Sequence, residues 1–297
     1  MPTDDASHDR IQELIPLLIG MERNLDHEMK LESLARQFGY SPFHFHRFFS
    51  GEVGQTPKQY IHRLRLERVA YKLAITGETI LQIALSVGFK NHETLSREFK
   101  RAFGCSPREY RKACHEAQAK RLERNRGFQG DGCFLSDVRF VSLNPMTLLA
   151  VRHHGAYATC PIPLRDDDPL WNELIDWAKR SNTAYRQLPI AISYDDPTVT
   201  PPSLQRLDAC IPAETDIAGH GRIRRLDFAG GRYGGIEHIG PLCTIDQAYR
   251  NLADGIRRSK KYDFDVGPPV QIYRKIAIGG DSAASFTEVY FPVRKRR

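Results

Sequence analysis

Ile80-Leu-Gln-Ile-Ala-Leu-Ser-Val87, then Gly88-Phe89, Asn91 and His92-Glu-Thr-Leu-Ser-Arg-Glu-Phe-Lys-Arg-Ala-Phe103, sets the architecture of the first part of the chain. Leu95, Phe99 and Phe103 recur at helical spacing, Asn91 is positioned to cap their helix, and Gly88 is free to take the positive φ that ends the helix before it. The same order occurs earlier. Leu31-Glu-Ser-Leu-Ala-Arg-Gln-Phe38 places Leu31, Leu34, Ala35 and Phe38 on one face, Gly39 follows, Ser41 caps, and Pro42 takes the first helical position before Phe43-His-Phe-His-Arg-Phe-Phe49. Helix, glycine turn and capped helix therefore occur twice. Between them Thr56-Pro57 opens a helix that runs free of Gly and Pro for about 18 residues, or roughly 27 Å.

The turns of residues 10–112 are marked by Gly20, Gly39-Tyr40-Ser41-Pro42, Gly54, Gly77, Gly88 and Gly104-Cys105-Ser106-Pro107, and no stretch there alternates with period two. A length of 297 residues suits two domains, and no apolar run approaches a membrane span. The start, Met1-Pro2-Thr3-Asp4-Asp5, lacks the basic-then-apolar layout of a secretion signal. Six cysteines lie singly, so a reduced, cytoplasmic protein is expected. The net charge of +7 is unevenly placed: Lys30 to Arg126 holds 19 Lys and Arg against 9 Asp and Glu. A polyanion is the natural partner of that segment. Two second helices held roughly 27 Å apart approach the ~34 Å repeat of DNA, a spacing suited to adjacent major grooves. His44-x-His46 puts its two rings on different helix faces, a poor spacing for a metal, and no metal ligand set or cofactor site is expected.

These residues carry a family resemblance. Ile83-Ala84-x-x-Val87-Gly88-Phe89, Leu95-Ser96-Arg97-x-Phe99-Lys100, Gly104-x-Ser106-Pro107 and Tyr110-Arg111 resemble the second helix–turn–helix signature of AraC/XylS-type transcription regulators. Leu34-Ala35, Gly39-Tyr40-Ser41, Arg47-x-Phe49, Gly54 and Pro57 resemble the first. The resemblance covers roughly residues 10–112 and implies a double-stranded DNA operator and RNA polymerase as partners. It also implies base contact from the exposed edge of each second helix: Phe43, His46 and Arg47 in one, His92, Glu93, Ser96 and Arg97 in the other. Arg47 and Arg97 suit either a guanine edge or a phosphate, and Glu93 suits either a cytosine amino group or a plain helix surface. Lys58, Arg101 and Arg108 are expected at phosphates.

Residues 113–132 are polar, end in Gly127-Phe-Gln-Gly-Asp-Gly132, and read as a linker between domains 1–112 and 133–297. Beyond it, β-branched runs such as Asp137–Leu143 and Leu148–Arg152 alternate with helix candidates at 168–181 and 244–260. The fold class expected is therefore an all-α double helix–turn–helix domain followed by an α+β domain. Its order repeats at an offset of 80 to 85 residues, giving two β-α-β-β units with a ligand cleft expected between them. His154-Gly155, Ile239-Gly240-Pro241, Gly267-Pro268-Pro269 with Ile272-Tyr273, and Glu288-Val-Tyr-Phe-Pro-Val293 resemble the GyrI-like effector-binding domain.

That resemblance implies a pocket for an amphipathic or cationic small molecule, with Glu288 at the counter-charge position and Asp208 in the corresponding place of the first repeat. Period two sets Phe286, Glu288, Tyr290 and Pro292 on one face, an acid among aromatics. Tyr157, Trp171, Tyr194, Tyr233 and Tyr273 suit either pocket walls or plain core. The chain reads as a one-component regulator. The alternatives are a GyrI-like hydrolase, although no nucleophile elbow or phosphate loop is present, and a regulator whose second domain contacts only protein partners.

Overall fold

The computed structural model describes residues 5–124, 132–157, 160, 162–164, 168–214, 219, 221–276 and 285–296, and the chain divides into units Met1–Glu116 and Ala117–Arg297. The helices of the first part are α1 (Asp5–Arg23), α2 (Leu31–Gln37), α3 (Pro42–Val53), α4 (Pro57–Ile75), α5 (Ile80–Ser86), α6 (His92–Phe103) and α7 (Pro107–Arg124). The caps read from sequence form. Ser41 Oγ accepts from the His44 N–H at 3.3 Å, and Asn91 Oδ1 accepts from the Thr94 N–H at 2.8 Å. Thr56 and Gln59 make a reciprocal capping box ahead of Pro57.

The linking helix α4 is the spine of this unit. Its Tyr60 and Leu64 join Leu14, Leu18, Met21, Leu34, Phe45 and Phe49 in one core. Polar side chains fasten the same helix to both halves. Tyr60 Oη donates to Glu22 Oε1 at 2.9 Å, and Arg65 donates to the carbonyls of Leu25 and His27 at 2.8 Å each. At the other end the buried Lys72 donates to Glu78 Oε2 at 3.1 Å and to Ser86 Oγ at 2.8 Å.

Two elements differ from the sequence reading. Gly20, expected at a turn, lies inside α1, because burial of Leu14, Ile15, Leu17, Leu18 and Met21 along that helix outweighs a glycine penalty of about 1 kcal/mol. Residues 113–124, expected as linker, continue α7: they hold no Gly or Pro, and Lys112 pairs with Glu116 at 3.8 Å across one turn. The rest of the expected linker, 125–131, lies outside the described residues.

The second unit contains β1 (Phe134–Leu135), β2 (Arg139–Leu143), β3 (Met146–His154), α8 (Trp171–Arg180), β4 (Ile190–Ser193), β5 (Arg206–Pro212), β6 (Arg224–Phe228), β7 (Gly231–Gly240), α9 (Ile245–Arg258), β8 (Tyr262–Phe264), β9 (Val270–Lys275) and β10 (Ser285–Lys295). All these strands join one sheet, ordered β1-β7-β10-β9-β4-β5-β3-β6, with β2 on β7 and β8 on β10. Each β-α-β-β unit, β3-α8-β4-β5 and β7-α9-β9-β10, the latter with the short β8 inserted after its helix, is preceded by a further strand, β2 or β6.

The two units meet at the antiparallel pair β4 and β9, where Ala191 faces Gln271 and Ile190 faces Ile272. An offset of 80 residues carries Ala191 onto Gln271, so a pseudo-twofold axis passes through that pair. The same operation carries the pair Ile192↔Asp208 onto Ile272↔Glu288. The leading strands are exchanged. The first unit's β2 lies on the second unit's β7, and β6 lies on β3, in one antiparallel register running from Arg139↔Gly235 to Ala150↔Arg224. Helix α8 covers one face of the first half through Trp171, Leu174, Ile175 and Ala178 against Leu149, Val151, Ala209 and Ile211. Alternate residues of the same strands, with Tyr233, Val270 and Tyr290, form a second core on the opposite face.

At Gly88 (φ +86°) a Cβ would lie 2.5 Å from the Leu25 carbonyl and 2.7 Å from Arg65 Nη2, whereas at Gly39 (φ +66°) it would meet nothing within 4 Å. Gly39→Ala therefore carries only the left-handed backbone cost, about 1 kcal/mol, and Gly88→Ala about 3 kcal/mol because the clash adds to it. Denaturant unfolding followed by helical circular dichroism measures both, and equal losses would contradict the close approach.

Candidate functional site

In α3 the burial of Phe45 and Phe49 turns the opposite edge to solvent, and Leu95 and Phe99 do the same in α6. Phe43 is 74% exposed, and the Arg47 guanidinium lies 6.0 Å from its ring centroid, one helical turn on. Arg47, His92, Glu93 and Arg97 are exposed, with His46 and Ser96 half-buried beside them. Lys58 stands exposed on the first turn of α4, and Arg101 and Arg108 are exposed on α6 and α7. The sequence reading omitted Glu98. Its carboxylate pairs with Arg101, lies 3.5 Å from Arg97 Nε and 3.5 Å from His62 Nε2, and so ties down both α6 arginines. Its position beside Arg97 and three residues before Arg101 was the available signal.

The six expected effector residues separate onto the two faces of the sheet. Trp171, Tyr157 and Tyr273 belong to the helix-covered face. There Trp171 is fully buried, donates its Nε1–H to the Cys210 carbonyl at 3.2 Å, and meets Tyr273 edge-on with centroids 5.9 Å apart. The Tyr157 hydroxyl donates to the Arg206 carbonyl at 2.8 Å and accepts from the Asp195 N–H at 3.0 Å. Burial pushes the Tyr157 and Tyr273 hydroxyls well above the usual tyrosine range. Tyr194 and Tyr233 belong to the opposite face, together with Tyr290 and Ile272. Glu288, one strand step of two from Tyr290, shares that face. Among the described residues the six therefore do not share one face of the sheet.

Two carboxylate clusters occupy the uncovered face at positions related by the pseudo-twofold axis. In the first half Asp208 is fully buried, accepts from Arg152 Nε at 2.6 Å and from the Tyr194 hydroxyl at 2.6 Å, and also pairs with Arg224. The Arg152 guanidinium lies over the Tyr194 ring at 4.5 Å. Burial alone pushes the Asp208 carboxyl up, but Arg152 and Arg224 outweigh it and hold the group below its ordinary value of 3.8. In the second half Glu288 accepts from Arg139 Nη2 at 2.8 Å and from Arg274 Nε at 2.8 Å. Arg139 also bridges to Glu237 at 2.5 Å. The Glu288 side chain is 7% exposed, while those of Arg139 and Arg274 are 43% and 42% exposed.

The counter-charge that the sequence reading left to a ligand is thus supplied by the chain itself. Arg139, Arg152, Arg224, Arg274 and Glu237 were all missed. The repeat held a signal for them, since Arg139 and Arg224 stand at its 85-residue offset. Among the described residues no group of His, Cys, Asp and Glu gathers to hold a metal, and no helix is long and apolar enough to cross a membrane.

Paired capped helices with exposed edges, followed by a pseudo-twofold α+β unit with charged groups sunk in one face, define a DNA-binding module joined to a ligand-binding module. Residues 34–113 match the helix-turn-helix domain model, and residues 136–294, more than half of the chain, match the GyrI-like small molecule binding domain. The chain belongs to the GyrI-like family and carries an AraC-type helix–turn–helix region ahead of that domain.

The multiple antibiotic resistance protein MarA of Escherichia coli is 34% identical over 106 residues, 36% of this chain and 84% of MarA. YkgA of Escherichia coli is 41% identical over 95 residues, 32% of this chain and 40% of that protein. The HTH-type transcriptional regulator Rv1931c of Mycobacterium tuberculosis is 43% identical over 84 residues, 28% of this chain and 32% of that protein. The chain therefore spans less than half the length of the last two.

Arg47→Ala and Arg97→Ala are expected to relax base preference by about 1–3 kcal/mol of discrimination, whereas Lys58→Ala weakens all duplexes alike and lowers the salt slope by about one. Binding to matched and scrambled duplexes over a salt series measures this; uniform losses for both arginine variants would assign them to phosphates. The depressed carboxyl of Asp208 stabilises the fold above its ordinary value of 3.8, and that contribution is lost as pH falls through the lower folded value. Asp208→Asn strands two guanidinium groups and is expected to cost about 3–5 kcal/mol at neutral pH. Urea unfolding at graded pH should show the gap to wild type narrowing in acid, and a gap independent of pH would refute the linkage.

Proposed function

We propose that this chain is a one-component, cytoplasmic transcription regulator that reads a duplex DNA operator with α3 and α6 and senses an amphipathic small molecule in its GyrI-like domain. The observation that carries the reading is the repeated solvent-facing edge of Phe43, Arg47, His92, Glu93 and Arg97 on two capped second helices. The 19 residues of α4 span about 28 Å, which favours one chain reaching two adjacent major grooves, and RNA polymerase is the partner through which bound protein acts. The membership of the two families supports the pairing of DNA binding with ligand binding.

Glu288 is the polar anchor for the effector. Its carboxylate is nearly buried while both arginines on it are half-exposed, so it is reached from solvent by moving side chains rather than backbone. That arrangement favours an effector with a cationic head and an apolar body.

The test begins by selecting a duplex from a random library with the full chain. Affinity for that duplex is then measured with and without a phenylalkyl trimethylammonium compound. We expect a shift of about 5- to 150-fold, the usual range of coupling between two sites, and its loss in Glu288→Gln. Sedimentation should show one chain per selected duplex. DNA affinity indifferent to the compound in wild type and variant alike would reject the sensing role.

A further inference from the structure

The pseudo-twofold axis places two carboxylates in equivalent surroundings, and the differences between them identify what each one is free to bind. Asp208 corresponds to Glu288, and Arg224 to Arg139, each of these arginines standing on an exchanged leading strand and pairing with the acid of the other repeat. Two positions do not correspond in kind. The strand position of Arg152 on β3 is taken by Glu237 on β7, and the position of Tyr194 at the end of β4 is taken by Arg274 on β9.

The first half therefore contains a complete cation site occupied by its own chain. Asp208 supplies the charge, Tyr194 supplies an aromatic face, and the Arg152 guanidinium lies between them with a side chain 1% exposed. Its removal would leave the fully buried Asp208 with Arg224 and the Tyr194 hydroxyl but one guanidinium short. In the second half an acid replaces that resident cation, and Arg274 reaches Glu288 from the neighbouring strand instead. Arg274 differs from Arg139 in two respects. Arg139 is held by both Glu237 and Glu288, whereas among the described residues Arg274 makes its ion pair with Glu288 alone, at 2.8 Å. Arg139 also lies in register opposite Gly235 at the first position of β2, whereas Arg274 falls at the register shift between β9 and β10, where Phe286 pairs with Lys275 and Thr287 with Tyr273.

We propose that Arg274 is a displaceable internal counter-ion: a cationic effector exchanges with it at Glu288, while Arg152 keeps the equivalent place at Asp208 closed, so that each chain takes one effector. The inference rests on Glu288 being the effector anchor. A half-exposed guanidinium leaves into water with little desolvation to undo, and the incoming cation replaces its charge on the buried carboxylate. Arg274 thereby sets specificity, since a neutral ligand gives no compensation for breaking the pair.

Calorimetry on the full chain with a phenylalkyl trimethylammonium ion and its neutral tert-butyl isostere tests the exchange. Arg274→Ala removes the competitor and is expected to tighten binding of the cation about tenfold, with little change for the isostere. Arg274→Lys keeps a competing cation and should stay near wild type, which separates competition from a packing role. Binding of one cation per chain is expected throughout. Unchanged or weakened cation binding in Arg274→Ala, with cation binding still lost in Glu288→Gln, would overturn the exchange and leave Glu288 as the anchor. Cation and isostere binding alike in wild type, Arg274→Ala and Glu288→Gln would overturn both.

Discussion

The antiparallel pairing of β4 with β9 is the constraint on which the second unit depends. With Ala191 opposite Gln271, the two β-α-β-β units must be related by a twofold axis through that pair, and every strand outward from it takes its place accordingly. A slip of one residue would turn Val270 and Ile272 away from Ile190 and Ile192, with which they share a core. The same axis brings Asp208 and Glu288 to one face, each opposite an isoleucine on the adjoining strand.

The pseudo-twofold repeat carries carboxylate clusters of different build in its two halves. At Asp208 two guanidinium groups and a tyrosine hydroxyl meet one buried carboxylate, although Arg224 Nε has no hydrogen-bond partner among the described residues, and such a network specifies geometry more than it adds stability. The Glu288 cluster likewise sets one carboxylate against two guanidinium groups, but here both arginines reach solvent. The DNA-binding part shows a parallel division. Lys72, Arg65 and Tyr60 hold α4 against its neighbours through buried or half-buried contacts, while the arginines of α3 and α6 remain at the surface.

Features decided within a few residues were legible in the sequence. Ser41, Thr56 and Asn91 cap their helices because the capping contact spans three residues, and Phe45, Phe49, Leu95 and Phe99 pack because helical spacing places them together. Features decided at a distance were not. Gly20 is helical because of what α1 packs against, and residues 113–124 are helical although their polarity suited a linker. The expected pocket residues split because β9 places Tyr273 and Ile272 on opposite faces, an alternation visible locally whose assignment to helix side or open side was not. Glu288 was found as an acid on a buried face, but Arg139 reaches it from a strand 149 residues away, beyond any local pattern.

The exchange of β2 and β6 between the repeats has a consequence for biogenesis. Arg139 finds its strand partner only when Gly235 has been made, and β10, which β7 needs on its other side, ends at Lys295. Neither repeat can close on its own as it leaves the ribosome, since each supplies the other's outer strand. The helical part, whose partners are close in sequence, can fold early, while the sheet must wait until β10 has been made. During that interval the edges of β3 and β7 are open to pairing with other chains, a hazard that the helical unit does not share.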